Sequence, residues 1–271
     1  MKLKHKKRKI IISITLITIF FLFIFTSGII FPEANLVNSK DSFTSPSLQH
    51  LFGTDQFGRD VFIRTVIGFR YTFTIALFVQ IISFAIGIIL GIILGYYGGI
   101  IDEIFYQISN LLLSFPMIIL AILMSSLTGA NMRCLISLMI VYTVVSNSKI
   151  VRSEIKIIKN EDYIKVLRVL GASDFVIIKN HLVKKCLRML LPTFALFIGH
   201  IIIAISSYSF IGFGVQPPQP EIGNMLKESL RFINRSPGLM IFPGLFQFFS
   251  ILLLLRLSEN CKTLFLDREV S

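Results

Sequence analysis

Along this chain, long apolar stretches alternate with short segments that hold nearly all the charge. Residues 10–31, "IIISITLITIFFLFIFTSGIIF", contain no charged side chain. Residues 71–101 contain none either, and "ALFVQIISFAIGIILGIILGYYGG" (76–99) supplies a second apolar run. A third lies near 104–127, a fourth and shorter one near 134–148, a fifth over 189–213 and a sixth over 238–255. A helix rises about 1.5 Å per residue, so roughly 20 apolar residues cross a hydrocarbon core. The pattern predicts an all-α polytopic membrane protein with six transmembrane helices.

Composition agrees. Of the 271 residues 54% are hydrophobic, 15% are charged and the mean hydropathy is +0.77. Soluble domains carry roughly a quarter charged residues. Such a chain cannot hide its apolar surface in one soluble core, and lipid is its natural solvent. The basic start "MKLKHKKRK" followed by an apolar run also has the outline of a signal peptide. The run is longer than a usual signal core and no A-x-A-like site follows, so it reads as an uncleaved span.

The net charge of +12 comes from 27 Lys and Arg against 15 Asp and Glu. The basic residues sit in short loops, which argues for membrane topology rather than nucleic acid. Six fall in residues 1–9 and ten in residues 149–188, whereas the 96–103 loop has none. With the N-terminus inside, the cytoplasmic side holds 19 and the outer side 8. The positive-inside rule thus puts both termini and the 149–188 segment in the cytoplasm. Asp102 and Glu103 dissent, since they would lie inside with no basic neighbour in their loop.

Residues 150–190 read as a cytoplasmic hairpin between spans four and five. Val151, Ile155 and Ile158, then Tyr163, Leu167 and Leu170, recur on one helical stripe. Gly171 can end that helix in the left-handed conformation, and Ser173 can accept a backbone N–H at the start of the next. Phe175, Ile178, Leu182 and Met189 give the second helix its own stripe. Two amphipathic helices meeting at a Gly-Ala-Ser turn could lie on anionic lipid or dock another protein.

The stretch "YIKVLRVLGAS" (163–173), followed by "NHLVK" (180–184), resembles the cytoplasmic coupling loop of ATP-binding-cassette importer permeases. In the peptide/nickel branch that loop reads like Y-V-x-A-A-R-x-L-G-A-S and then R-H-I-L-P. The tyrosine, arginine, Leu-Gly-Ala-Ser and histidine match. Val166 and Leu167 replace the two alanines and Lys184 the proline. "HLFGTDQFGRDVFIRTVIGFRYTF" (50–73) and "YSFIGFGVQPPQPEIGNML" (208–226) resemble two further motifs of the branch, with Ile222 in place of a tryptophan. The three matches, in order from residue 50 onward, are closest to the "C"-type permease subunits of dipeptide, oligopeptide and nickel importers.

The resemblance implies a transport subunit, not an enzyme, with no cofactor of its own. Its implied partners are a second homologous permease, two cytoplasmic ATP-binding subunits, an extracellular substrate-binding protein or lipoprotein, and membrane lipid. Leu167, Gly171, Ala172, Ser173 and Asp174 become the residues expected to couple ATP hydrolysis to transport, and His200 a candidate on the substrate path. The organisation is then a basic cytoplasmic N-terminus (1–9), a first helix (10–31), an extracellular or interfacial segment (32–70), a five-helix core (71–257) and a cytoplasmic tail (258–271). A bacterial plasma membrane is the implied location. Peptides, nickel and metallophore-bound metals are the cargoes of this branch.

Other features bear on that reading. Asp55, Arg59, Asp60 and Arg64 balance locally and suit an outer or interfacial element, or plain solvated salt bridges. Pro217, Pro218 and Pro220 should end the fifth helix. Gly87, Gly91 and Gly95 recur every four residues as one smooth face, fit to pack on another helix. Gln80, Gln107, Asn110, Asn147, His200 and Gln247 are the polar groups within spans, and interhelical hydrogen bonding is their ordinary use. Cys134, Cys186 and Cys261 form no CxxC pair and the four histidines are scattered, so no metal site is expected. There is no phosphate-binding loop and no nucleophile or acid–base constellation. An ion-gradient-driven secondary transporter is the alternative, but it would carry membrane-embedded acids or an internal repeat. A membrane-embedded enzyme would need a reactive constellation.

Overall fold

A computed structural model describes residues 2–31, 35–129 and 131–266 of the chain. Residues 32–34 of the predicted outer segment and 267–271 of the predicted tail lie outside the described residues, as do Met1 and Ala130. The described residues are helical, without a β-strand: α1 (Lys2–Ile30), α2 (Val61–Tyr97), α3 (Gly99–Ser114), α4 (Met117–Thr128), α5 (Met132–Ile158), α6 (Asp162–Val169), α7 (Asp174–Ile177), α8 (Val183–Ile211), α9 (Ile222–Ser229) and α10 (Gly238–Leu266). A π-helical turn, Ile178–Leu182, joins α7 to α8, so Asp174–Ile211 is one continuous helix of 38 residues. Five helices are long and apolar enough to cross a membrane, and six spans result if α3 and α4 are counted as one.

The third span departs from its expected form. Instead of one helix near 104–127, α3 and α4 meet at an angle of 84°. The cause is local: Pro116 forces Phe115 into extended backbone (φ −84°, ψ 130°) and cannot itself donate to α3. The fourth span is longer than its apolar run, because α5 continues through charged residues to Ile158.

Packing centres on α2 and α5. A Cβ on Gly87 would lie 2.6 Å from the Asn147 Cβ, one on Gly91 2.5 Å from the Val151 Cβ, and one on Gly95 2.8 Å from the Arg152 carbonyl. The glycine track expected to receive a helix therefore receives α5, backbone against backbone. Around the inner length of this pair, Ile88, Ile92, Tyr96, Val151, Ile155, Ile158, Ile164, Ile177 and Leu182 form one buried cluster. Toward the other end, Val66, Phe69, Phe73, Met139, Ile202, Ile205 and Leu254 form a second. α1 is attached by aromatic contacts: Phe21 stacks on Phe73 at 4.5 Å, and Phe20 meets Phe69 and Phe246 at 6.4 and 6.0 Å.

α3 is inside-out by the standard of a soluble helix. Ile100, Ile104, Ile108, Leu111 and Phe115 are exposed along one stripe, while Asp102 turns inward and is 3% exposed. Asp102 is bound by Arg152, whose second guanidinium nitrogen lies 2.9 Å away, and by Lys156 at 2.6 Å. Nearby, the Lys149 ammonium donates to Asn110 at 2.6 Å. Asp102, which lacked a basic neighbour in its own loop, thus finds two cations on α5.

Two stability predictions follow from these contacts. Gly91→Ala should destabilise the purified chain by about 1–3 kcal/mol, the usual cost of overpacking. Gly199→Ala, whose new methyl meets only Ile251 at 3.6 Å, should be neutral or stabilising. Thermal unfolding in detergent separates the two, and equal melting temperatures would refute the α2–α5 contact. By the same assay, Asp102→Ala should lower stability more than Glu103→Ala, because Glu103 is exposed and meets only Gln107.

Candidate functional site

The element from α6 to α7 sits at one end of the bundle, beside the C-terminus of α2. α6 ends in a Schellman turn. The Ala172 N–H donates to the Leu167 carbonyl and the Gly171 N–H to the Arg168 carbonyl, both at 3.0 Å. Gly171 has φ +83°, and a Cβ there would meet nothing within 4 Å. The glycine is therefore required by backbone conformation alone. Leu167 and Ala172 both pack on the buried cluster of α2, α5 and α8, which supplies the apolar contact typical of this turn.

Ser173 is extended (φ −69°, ψ 153°) and stands at the start of α7, but its side chain makes no capping bond. The expected cap is therefore not formed, and Ser173 is exposed. The stripes also differ from expectation. Ile164 and Ile177 are fully buried, whereas Tyr163, Leu170 and Phe175 are exposed. The short α6 turns through too few residues to hold the i, i+4, i+7 stripe against the bundle, so its inner face is set by Ile164.

Several polar contacts tie this element to α2. The Tyr96 hydroxyl hydrogen-bonds to the Asp174 carboxylate, and the Arg168 guanidinium lies 5.2 Å from the centre of the Tyr96 ring. The Lys159 ammonium donates to the Gly95 and Tyr96 carbonyls at 2.9 and 3.2 Å, and so neutralises the negative end of the α2 dipole. Burial, followed by the charge of Lys156, pushes the Lys159 pKa below the ordinary lysine value. Lys185 pairs with Glu161 at 2.6 Å and links α8 back to the start of α6.

The opposite face of the element is free. Val166, Val169, Leu170, Phe175 and Val176 are all exposed, with Val169 at 87%. Lys165, Arg168 and Lys179 border them. Of the predicted site residues, the structure groups Leu167, Gly171, Ala172, Ser173 and Asp174 in one turn. His200 lies elsewhere, exposed on α8 with its ring 6.1 Å from that of Phe197.

At the far end of α2, residues 35–60 fold over the helix start. Asp55 accepts from the Phe57 and Arg59 N–H groups and from the Arg59 guanidinium at 2.6 Å. Arg59 also reaches Glu228 on α9 at 3.5 Å. Asp55, Arg59 and Arg64 are each less than 9% exposed, so these are not solvated surface salt bridges. Asp60 instead caps α2 through the Ile63 N–H at 2.9 Å and pairs with His50 at 2.8 Å.

α8 ends at Gly212 (φ 107°), five residues before Pro217, so the glycine and not the prolines terminates it. The chain then returns to α9 through Glu221, which is fully buried. Its carboxylate accepts from Ser206 of α8 at 2.7 Å, Thr72 of α2 at 3.4 Å and the Asn224 N–H at 3.1 Å. Sequence reading missed Glu221 as a structural node. The available signal was an acid directly after a proline run and before a short helix, a capping position. Among the polar groups within spans, Asn110 makes an interhelical bond and Gln107 bonds along its own helix. Both amide atoms of Gln80 are buried without a partner, as is the Asn147 amide nitrogen.

Residues 87–261 match the family described as "Binding-protein-dependent transport system inner membrane component". The chain is 34% identical over 207 residues to the "Glutathione transport system permease protein GsiD" of Pectobacterium atrosepticum, covering 76% of this chain and 69% of that protein. It is 32% identical over 250 residues to the "Dipeptide transport system permease protein DppC" of Alkalihalophilus pseudofirmus, covering 92% and 81%. The chain belongs to the binding-protein-dependent transport system inner membrane components, the multi-pass permease subunits of ATP-binding-cassette importers that work with a substrate-binding protein and ATPases.

Proposed function

We propose that this chain forms, with a second homologous permease, the translocation path of a peptide importer in a bacterial plasma membrane. Of the two ATPases that serve the permease pair, one docks on this chain's α6–α7 element from the cytoplasm, where both termini also lie. A substrate-binding protein delivers cargo at the end formed by residues 35–60 and α9. The observation that carries the reading is the two-sided turn at Gly171. One face is packed into α2, α5 and α8, and the other exposes Val166, Val169, Leu170 and Phe175.

Movement of docked ATPases would act on this turn and pass directly into the Asp174–Ile211 helix, since no loop intervenes. That helix carries Ser206, which is joined through Glu221 to Thr72 on α2. A displacement at the docking end thereby reaches the opposite mouth, as alternating access requires. ATP binding and hydrolysis belong to the partner subunits. Peptide is favoured as cargo by the names of the glutathione and dipeptide permeases. It is favoured also by grooves on this chain lined with hydroxyl, amide and apolar groups.

The cargo is tested with the purified complex of both permeases, the ATPases and the binding protein in proteoliposomes. ATP-dependent uptake of labelled di- and tripeptides is expected. Uptake of nickel, zinc or cobalt only with a chelator, and of no peptide, would replace this reading with metallophore import. Coupling is tested at Gly171. Gly171→Val should abolish uptake while the protein still inserts and co-purifies with its partner permease. Gly171→Asn should retain most activity, because asparagine tolerates φ > 0. Equal transport by both variants would remove the turn from the mechanism.

A further inference from the structure

We propose that a pocket at the mouth opposite α6 is a station that holds the main chain of an incoming peptide by neutral hydrogen bonds. The inference rests on the peptide reading above and gives it a location. The pocket has a volume of ≈ 440 Å³ and lies where α2, the start of α5 and the loop after α8 converge. That volume is within the roughly 300–1,000 Å³ typical of small-molecule clefts. Tyr71, Thr128, Asn131, Val215, Gln216 and Gln219 provide most of its wall, and no charged side chain lines it.

The wall residues leave both kinds of hydrogen-bonding group open. Gln216 commits its amide nitrogen to the Gly212 and Gly214 carbonyls at 2.9 and 3.1 Å, which leaves its side-chain oxygen as an acceptor. Asn131 commits its oxygen to the Arg133 N–H at 2.9 Å, which leaves its amide nitrogen as a donor. The Gln219 amide and the Tyr71 hydroxyl have no partner among the described residues, and each can donate and accept. Fixed acceptor, fixed donor and two adaptable groups around one pocket match the alternating N–H and C=O groups of a peptide main chain. They offer no imidazole, thiolate or carboxylate set for a bare transition-metal cation such as nickel.

The wall is also linked to the moving parts. Gln216 and Gln219 lie in the loop held by Glu221, and the Asn224 amide bonds to the Val215 carbonyl. Glu221 bonds to Thr72, the neighbour of Tyr71, and to Ser206 of α8. Both sides of the pocket therefore belong to helices that reach the α6–α7 element, so its shape can change with the transport cycle.

The test uses the complete reconstituted complex and two labelled probes. One is a dipeptide and the other its depsipeptide analogue, in which an ester oxygen replaces the amide N–H. Wild type is compared with Gln219→Leu, Tyr71→Phe and the double variant, all at exposed side chains whose replacement leaves packing intact. The same binding protein is used throughout, so its own preference cancels between variants. In the double variant, KM for the dipeptide should rise roughly tenfold, the equivalent of two lost neutral hydrogen bonds. The preference of wild type for dipeptide over depsipeptide should shrink, the remainder resting on the Gln216 oxygen. Wild-type uptake of peptide with an unchanged KM and an unchanged preference in the variants would overturn the station while leaving the peptide reading in place. Failure of wild type to take up any peptide would instead overturn the peptide reading, and the station with it.

Discussion

The contact between α2 and α5 is the constraint on which the rest of this bundle depends. In a lipid environment there is little hydrophobic drive to bring helices together, and close backbone packing takes its place. Gly87, Gly91 and Gly95 remove the side chains that would keep the helices apart, and Val151 and Ile155 fill the space. Once the two helices are in register, Asp102 of α3 meets Arg152 and Lys156, and Lys159 reaches the last carbonyls of α2. A different register would leave Asp102 buried without a cation, which is far more costly than a lost apolar contact.

The site depends on the same pair. α6 has only eight residues, too few to be stable by itself in water. It persists because Ile164 and Leu167 enter the cluster that Ile88, Ile92 and Tyr96 begin and Val151, Ile155 and Ile158 complete. Burying one face of so short a helix leaves the other apolar residues outward. The free surface at Val169, Leu170 and Phe175 is thus a direct result of how the turn is held.

Much of this was legible in the residues themselves. Most of the apolar runs, the glycine track and the left-handed turn at Gly171 are local properties, and these were met in the structure at their expected positions. The breaks came where a local signal was outweighed or overlooked. Pro116 sits within an apolar run that counts as one span by hydropathy, yet its ring decides the backbone of Phe115. Of the stripe Tyr163, Leu167 and Leu170 only Leu167 packs inward, because period alone does not say which side meets the bundle. Asp102 and Glu221 are satisfied by groups 50 and 15 residues away, respectively, and nothing in their own neighbourhoods announces those partners. Arg59 of the buried outer cluster likewise reaches Glu228, which lies far along the chain.

The continuity of the helix from Asp174 to Ile211 has a geometric consequence. At 38 residues it is about 57 Å long. Tilted as one body by only ~5° about one end, a helix of that length carries its other end through ~5 Å, close to one turn of a helix, less whatever bend the π-turn and Pro192 absorb. Small angular changes at the end bearing Asp174 are therefore magnified by length alone at the end bearing Ser206 and Ile211. No large rearrangement at the end bearing Asp174 is needed for a molecular-scale displacement at the other end of the bundle.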